Sequence, residues 1–431
     1  MKRRVMRPRD AMRLYQTAAR VWLTAAGLSL LLPGTVRLGW WVPLHLMLVG
    51  AVSVAISGAM QNFVAALTGT AAGPTRLVWA QFALTNAGAA LLVAGRSSGH
   101  PALVGVGGTA YLAGIALLGL IVLRARRRTL HLRHRIPVAM YEAAVASVLA
   151  GGTIGILLGT GAVHGADAWR DLRGAHLVLN VLGWVSLTIA GTLITLLPTV
   201  LRVRMPAWRG GLTAWLFVVG VGLMATGVAL GLTPLAVAGA GAFAAAVAGL
   251  LSMVGRVVST PRAWPVPLTA KHLLLALAWF AAGTVWLVVA LGRGLSWFAG
   301  AHDVFVVIFA GGWILQILLG AWLYLLPMTR PGHPETRRSV LAAMEWGGTI
   351  QLAAFNAGMV LLAVAASRSG ASALATAGAA LALAGAGLAL VKAWTHPMLG
   401  RSATLTRRGR PVWDPGAGID PGRGEASERG P

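Results

Sequence analysis

Apolar residues run along this chain in long stretches broken by short polar connections, at about 18–36, 40–68, 77–95, 101–123, 137–162, 175–201, 211–232, 234–255, 272–292, 299–328, 342–366 and 371–394. None alternates with the period of two that marks a half-buried strand. Each is near the roughly 20 residues that a helix needs to cross the hydrocarbon core. The pattern predicts an all-α membrane protein of twelve transmembrane helices. Charge supports the count: with the N-terminus inside, the outer connections hold only Arg37, Arg96, Arg170, Arg173, Arg293 and Arg368, and the rest of the 36 Lys and Arg lie inside. The positive-inside bias requires this alternation, and it predicts a multi-pass protein of the cell membrane with both termini cytoplasmic.

Within the runs a pattern repeats. The stretch from His176 to Met205 places Gly183, Gly191 and Pro198 on an apolar helix, and Gly312, Gly320 and Pro327 recur at the same spacings after His302. Gly50 and Gly58 keep the glycine spacing after His45, with Ala65 in place of the proline. Gln81 and Asn86 are likewise matched by Gln351 and Asn356. A fixed period of this kind marks a repeated structural unit. Three four-helix repeats follow, at about 18–123, 137–255 and 272–394. A basic cytoplasmic N-terminal segment (1–17) and a Gly-, Pro- and charge-rich cytoplasmic tail (395–431), expected to be disordered, flank them.

Composition narrows the chemistry. With 57% hydrophobic and 11% charged residues, the chain falls outside the range of soluble domains, which are nearer one quarter charged. Zero cysteines exclude disulfides, thiolate-bound metals and covalent c-type haem. The net charge of +25 and the run Arg124 to Arg135 read as topology determinants beside anionic lipid, so the expected partner is the bilayer and not nucleic acid. Arginines ahead of Val21 to Leu32 imitate a signal peptide, but no A-x-A site follows, which predicts an uncleaved first helix.

Most of the ten histidines, His272 among them, fall in connections or at run ends, where solvent or headgroups satisfy them. His45, His176 and His302 differ, since each stands near the outer end of the second helix of its repeat. Imidazole is the common protein ligand of haem iron and copper, with a further acceptor fixing its second nitrogen. The three precede the first glycine by different intervals, so they are not equivalent by repeat. Asp303 offers a carboxylate beside His302, although neighbouring helical residues point apart. Glu142 and Glu345, near inner helix ends, read as snorkelling toward arginines. Gln61, Asn62, Asn86, Asn180, Gln316, Gln351 and Asn356 read as polar contacts between helices.

HLMLVGAV, HLVLNVLGWVSLTIAGTLITLLPT and LQILLGAWLYLLP resemble the helices of the haem-copper oxidase subunit I superfamily. They are more similar to its NnrS-like relatives, and most to the twelve-helix membrane half of bacterial copper-oxidase fusions with cupredoxin domains. The likeness spans about 40–330. It implies three four-helix arcs whose second, sixth and tenth helices carry metal ligands near the outer face. His45 and His302 match positions that hold haem and His176 one that holds copper. The implied function is haem or copper binding in electron transfer, metal handling or nitric-oxide stress, with a redox or cupredoxin partner. The histidine pair that opens the oxidases' seventh helix is missing here, and the tenth helix has one histidine, so oxygen or nitric oxide reduction by the usual route does not follow. A cofactor-free transporter or assembly partner on the same scaffold is the competing expectation.

Overall fold

The protein is described by a computed structural model covering residues 6, 8–70, 73–129, 134–261, 265–329, 334–368 and 370–402. All regular structure among them is helical: α1 (Pro8–Ser29), α2 (Trp41–Thr68), α3 (Thr75–Ser97), α4 (Pro101–Arg127), α5 (Arg135–Thr160), α6 (Ala166–Leu201), α7 (Gly210–Ala229), α8 (Thr233–Ser259), α9 (Leu268–Gly292), α10 (Leu295–Gly300), α11 (His302–Met328), α12 (Pro334–Glu345), α13 (Gly348–Ala366) and α14 (Ser372–Ser402). Eleven of these are long and apolar enough to cross a membrane, among the described residues. The long helix outside that set is α1, which carries Arg9, Asp10, Arg13 and Arg20.

Three boundaries differ from the sequence reading. The first helix spans 8–29 and not 18–36, because Pro8 can open a helix while Pro33-Gly34 leads into turns through Leu38 and Gly39, both left-handed. Residues 8–17 therefore belong to the bundle, where Met12, Tyr15 and Gln16 are buried. The eleventh run breaks at Trp346-Gly347, Gly347 taking φ +64°. At the C-terminus α14 continues to Ser402, so the start of the expected tail is helical, and residues 403–431 lie outside those described.

Burial sorts the helices. In α2, α6 and α11, 61%, 78% and 72% of the apolar window is buried, against 22–44% in the other spans, so these three form the core and the rest surround them. Each contains a π-helical stretch over its repeated glycine: 46–52, 178–186 and 306–315. Serine explains two of the three. Ser53 Oγ donates to the Leu48 carbonyl and Ser186 Oγ to the Val181 carbonyl, each five residues back, the span that a wide turn opens. The third stretch has Leu315 at that position.

The same serines tie the core together. Trp184 Nε1 donates to Ser53 Oγ at 3.0 Å, and Trp313 Nε1 donates to Ser186 Oγ at 3.0 Å. Each Trp follows a repeated glycine by one residue and each Ser by three. Around the core this makes a ring with two of its three links formed, the remaining positions being Ala51 and Leu315. Below it, α2, α6 and α11 line a partly open apolar cavity, with Val52, Ile56, Leu193, Ile317 and Trp322 in its wall. The polar side chains in that wall are hydrogen-bonded: Trp322 donates to Gln16, Thr188 to the Trp184 carbonyl and Thr192 to the Thr188 carbonyl.

The outer helices repeat their contacts too. Gly50 and Gly312 leave room for the rings of Trp22 and Trp279, whose Nε1 groups donate to Asn86 Oδ1 and Asn356 Oδ1 at 2.8 and 2.9 Å. Gly183 instead faces Ser147, and two residues before Gly220, where Asn86 and Asn356 stand before Gly88 and Gly358, the chain has Val218. Tryptophan and asparagine are lost together in the middle set, as expected when an unpaired partner would be left inside. A double-mutant cycle on Trp22→Phe and Asn86→Val, read by thermal unfolding in detergent, should give a coupling of about 0.5–1.5 kcal/mol. Additive effects would remove this link.

Candidate functional site

His45 lies near the start of α2 and His302 opens α11, whereas His176 lies in the third turn of α6, and their surroundings differ. His45 lies in the first turn of α2, its ring stacked on Trp41 with centroids 3.9 Å apart and planes at 18°. Its Nδ1 is 2.8 Å from the Trp41 carbonyl oxygen. A carbonyl only accepts, so Nδ1 carries the proton and Nε2 holds the free lone pair. His176 has the same tautomer by a different route. Its Nδ1 is 2.8 Å from the carbonyl of Gly151 on α5, which makes it a donor, and Asn180 Nδ2 then donates to the His176 backbone carbonyl at 2.8 Å. The ring fits only because Gly155 has no side chain: a Cβ there would stand 2.6 Å from His176 Cε1. His45 and His176 are within electrostatic range of one another, with Arg96 near the first.

His302 is elsewhere. Its Nε2 sits 3.0 Å from Asp303 Oδ1, and the ring is 36% exposed. Adjacent helical side chains diverge, but Ala301 is non-helical and α11 begins at His302, which lets the pair meet. His302 lines a cleft with Arg170, Arg173, Leu177 and Phe298, in which Arg170 is held by Asp167 at 2.7 Å and Asp171 at 2.9 Å. Spacing from the repeated glycines explains the difference. The positions matching His302 are Trp40 and Arg173, whereas those matching His176 are Pro43 and Phe305.

The structure thus sets His45 and His176 within electrostatic range of each other, and Arg173 within range of both His176 and His302. No group of three or more His, Asp or Glu suited to a metal ion is present among the described residues. For the pair the chemistry fits a metal: both imidazoles have Nδ1–H anchored on a carbonyl and Nε2 unprotonated, the arrangement by which proteins hold a ligating histidine in orientation.

The remaining polar residues divide. Gln61, Gln81 and Tyr15 form one buried network in which Tyr15 Oη donates to Gln81 Oε1 and Gln61 Nε2 donates to Tyr15 Oη at 3.1 Å. Glu142 pairs with Arg126, as the snorkelling reading expects. Glu345 instead accepts from the backbone N–H of Leu268 at 3.2 Å, at the start of α9. Sequence reasoning missed His272, which is fully buried in α9. The interval from His272 to Trp279 equals that from Tyr15 to Trp22, a signal hidden because the first run was begun beyond Tyr15. Neither family models nor curated proteins match this chain.

Proposed function

We propose that this is a twelve-span membrane protein of three four-helix repeats, α1 being the first span, with both termini on the cytoplasmic side of the cell membrane. In this reading it is a relative of the haem-copper oxidase and NnrS-like proteins and holds haem, copper or both near the outer face. The observation that supports it is the pair His45 and His176, each with its Nδ1–H on a backbone carbonyl and its Nε2 lone pair free. Imidazole nitrogen suits copper and haem iron alike, and a bound group of either kind supplies one-electron chemistry. The chain's own contribution is orientation: Trp41 and Gly151 fix the two rings, and the Trp–Ser ring fixes the two helices on which they stand. His302 with Asp303 stands at the same rim, beside Arg173, where a redox or cupredoxin partner would dock.

Two readouts on the full-length protein purified from membranes test this: an absorption spectrum and a metal analysis. Haem gives a Soret band and copper a stoichiometric metal content. His45→Ala and His176→Ala should each lose most of the bound group while the protein still elutes as a folded species. A colourless, metal-free preparation after reconstitution with haem and with copper would sink the proposal and leave the cofactor-free transporter or assembly partner.

A further inference from the structure

A second polar cluster lies inside the last four long helices, away from the rim. His272 on α9, Gln316 on α11 and Gln351 on α13 are 0%, 0% and 2% exposed, and Lys392 on α14 is 6% exposed. Both ring nitrogens of His272, both side-chain polar atoms of Gln316 and Nε2 of Gln351 are buried without a hydrogen-bond partner. Lys392 uses its three protons on the carbonyls of Met344 (3.3 Å) and Trp346 (2.5 Å) and on Gln351 Oε1 (3.0 Å). Among the described residues none of its partners is a carboxylate, and the neighbouring Glu345 is exposed and bonded to Leu268 N–H.

These groups converge. His272 is within electrostatic range of Lys392 and faces the backbone carbonyl of Gln316 without closing a hydrogen bond. Gln316 is one turn before Gly320, whose missing side chain makes room for His272 Cβ, so both face α9. His272 and Gln351 occupy the positions that Tyr15 and Gln81 hold in the first repeat, where the two side chains are directly bonded.

Comparison with the other repeats shows what was added. Counting from Gly312, Gln316 matches Val54 and Leu187; counting from Gly378, which meets the neighbouring helix as Gly107 and Gly239 do, Lys392 matches Ile121 and Met253, all apolar. The first repeat closes its network internally through Tyr15, Gln61 and Gln81, whereas the last has two extra polar residues and its polar atoms open. Each orphaned buried group is destabilising, so a scaffold role alone does not account for them. With the imidazole proton facing the Gln316 carbonyl, the open valences are still mostly donors: two protons on each amide nitrogen, against one amide oxygen and one ring nitrogen. Lys392 repels a cation from this place. Water would satisfy donors but leave the ammonium without a counter-charge.

We propose that His272, Gln316 and Gln351, with the charge of Lys392 behind them, form a buried site for a small monovalent inorganic anion of chloride size. The site is independent of the rim histidines and of any metal held there.

The probe is chloride itself, on the full-length protein in detergent. Chloride or bromide replacing gluconate at constant ionic strength should raise the thermal unfolding midpoint saturably, and radioactive chloride should bind at one equivalent and be displaced by bromide. Gln316→Leu, which restores the repeat's apolar residue, should abolish both effects while raising the halide-free midpoint. Lys392→Met should weaken chloride binding at least tenfold, and His272→Phe supplies a second variant if Lys392→Met fails to fold. Absence of saturable chloride binding to the wild type, or binding unchanged in Gln316→Leu, would overturn the proposal and assign the cluster to internal water.

Discussion

Gly239→Leu should abolish accumulation of folded protein, whereas Gly241→Leu two residues away should leave it intact. Gly239 on α8 meets α7 at the backbone: an added Cβ would overlap the main-chain nitrogen of Met224 and stand 2.8 Å from the Gly220 carbonyl oxygen. Gly220 is the reciprocal contact, 2.7 Å from Phe243 N were it to carry a Cβ. No rotamer change relieves a clash with main chain, so the helices must part along their whole contact. The cost exceeds the ~1–3 kcal/mol of ordinary overpacking. Gly241 has nothing within 4 Å of its notional Cβ. Folded yield by fluorescence-detected gel filtration separates the two, and equal tolerance would show that α7 and α8 do not touch. Gly88 with Gly107, and Gly358 with Gly378, make the same approach between α3 and α4 and between α13 and α14, so the result extends to all three pairs.

Trp313→Ala should lower stability by about 3–5 kcal/mol, and Trp313→Phe by only about 1 kcal/mol. The indole is fully buried, stacks on Phe280 with centroids 4.3 Å apart at 13°, and donates to Ser186 across the core. Alanine removes the stack and leaves a hole on the axis between α6 and α11. Phenylalanine keeps the stack, and Ser186 retains its bond to the Val181 carbonyl. Ser186→Ala is the sharper test of the ring, since it orphans a buried indole N–H. In the Trp313→Phe background its cost should largely disappear. Unfolding midpoints of the four proteins measure this, and a full, undiminished cost in the double variant would mean that the hydrogen bond does not couple the two helices.

Much of this was readable in the chain. Eleven helices fall at the apolar runs, because hydrocarbon leaves a spanning backbone no option but to bond to itself and ~20 apolar residues are the length required. The repeated glycines were legible as well, since a close approach leaves the same residue at the same spacing. α1 was placed wrongly because its buried face holds Tyr15, Gln16 and Arg20, whose hydrogen bonds to Gln81, Trp322 and the Ala393 carbonyl come from distant parts of the chain. Hydropathy counts such residues as polar and cannot see who satisfies them.

The site was less legible, for the same reason. Residue type and helix marked His45, His176 and His302 as candidates and their unequal spacing from the glycines set them apart, yet what each ring does depends on the carbonyl or carboxylate that a neighbour presents. Gly151 on α5 orients His176, an interaction between residues 25 apart, while Asp303 captures His302. His272 looked like one more histidine at a helix end until α11, α13 and α14 closed around it. The amino-acid order by itself determined which segments leave water and where backbones can meet. The tertiary structure alone decided which buried polar atoms find partners and which remain open, because a hydrogen bond or a chelate depends on atoms converging within about 3 Å, and that convergence is a property of packed helices and not of any one of them.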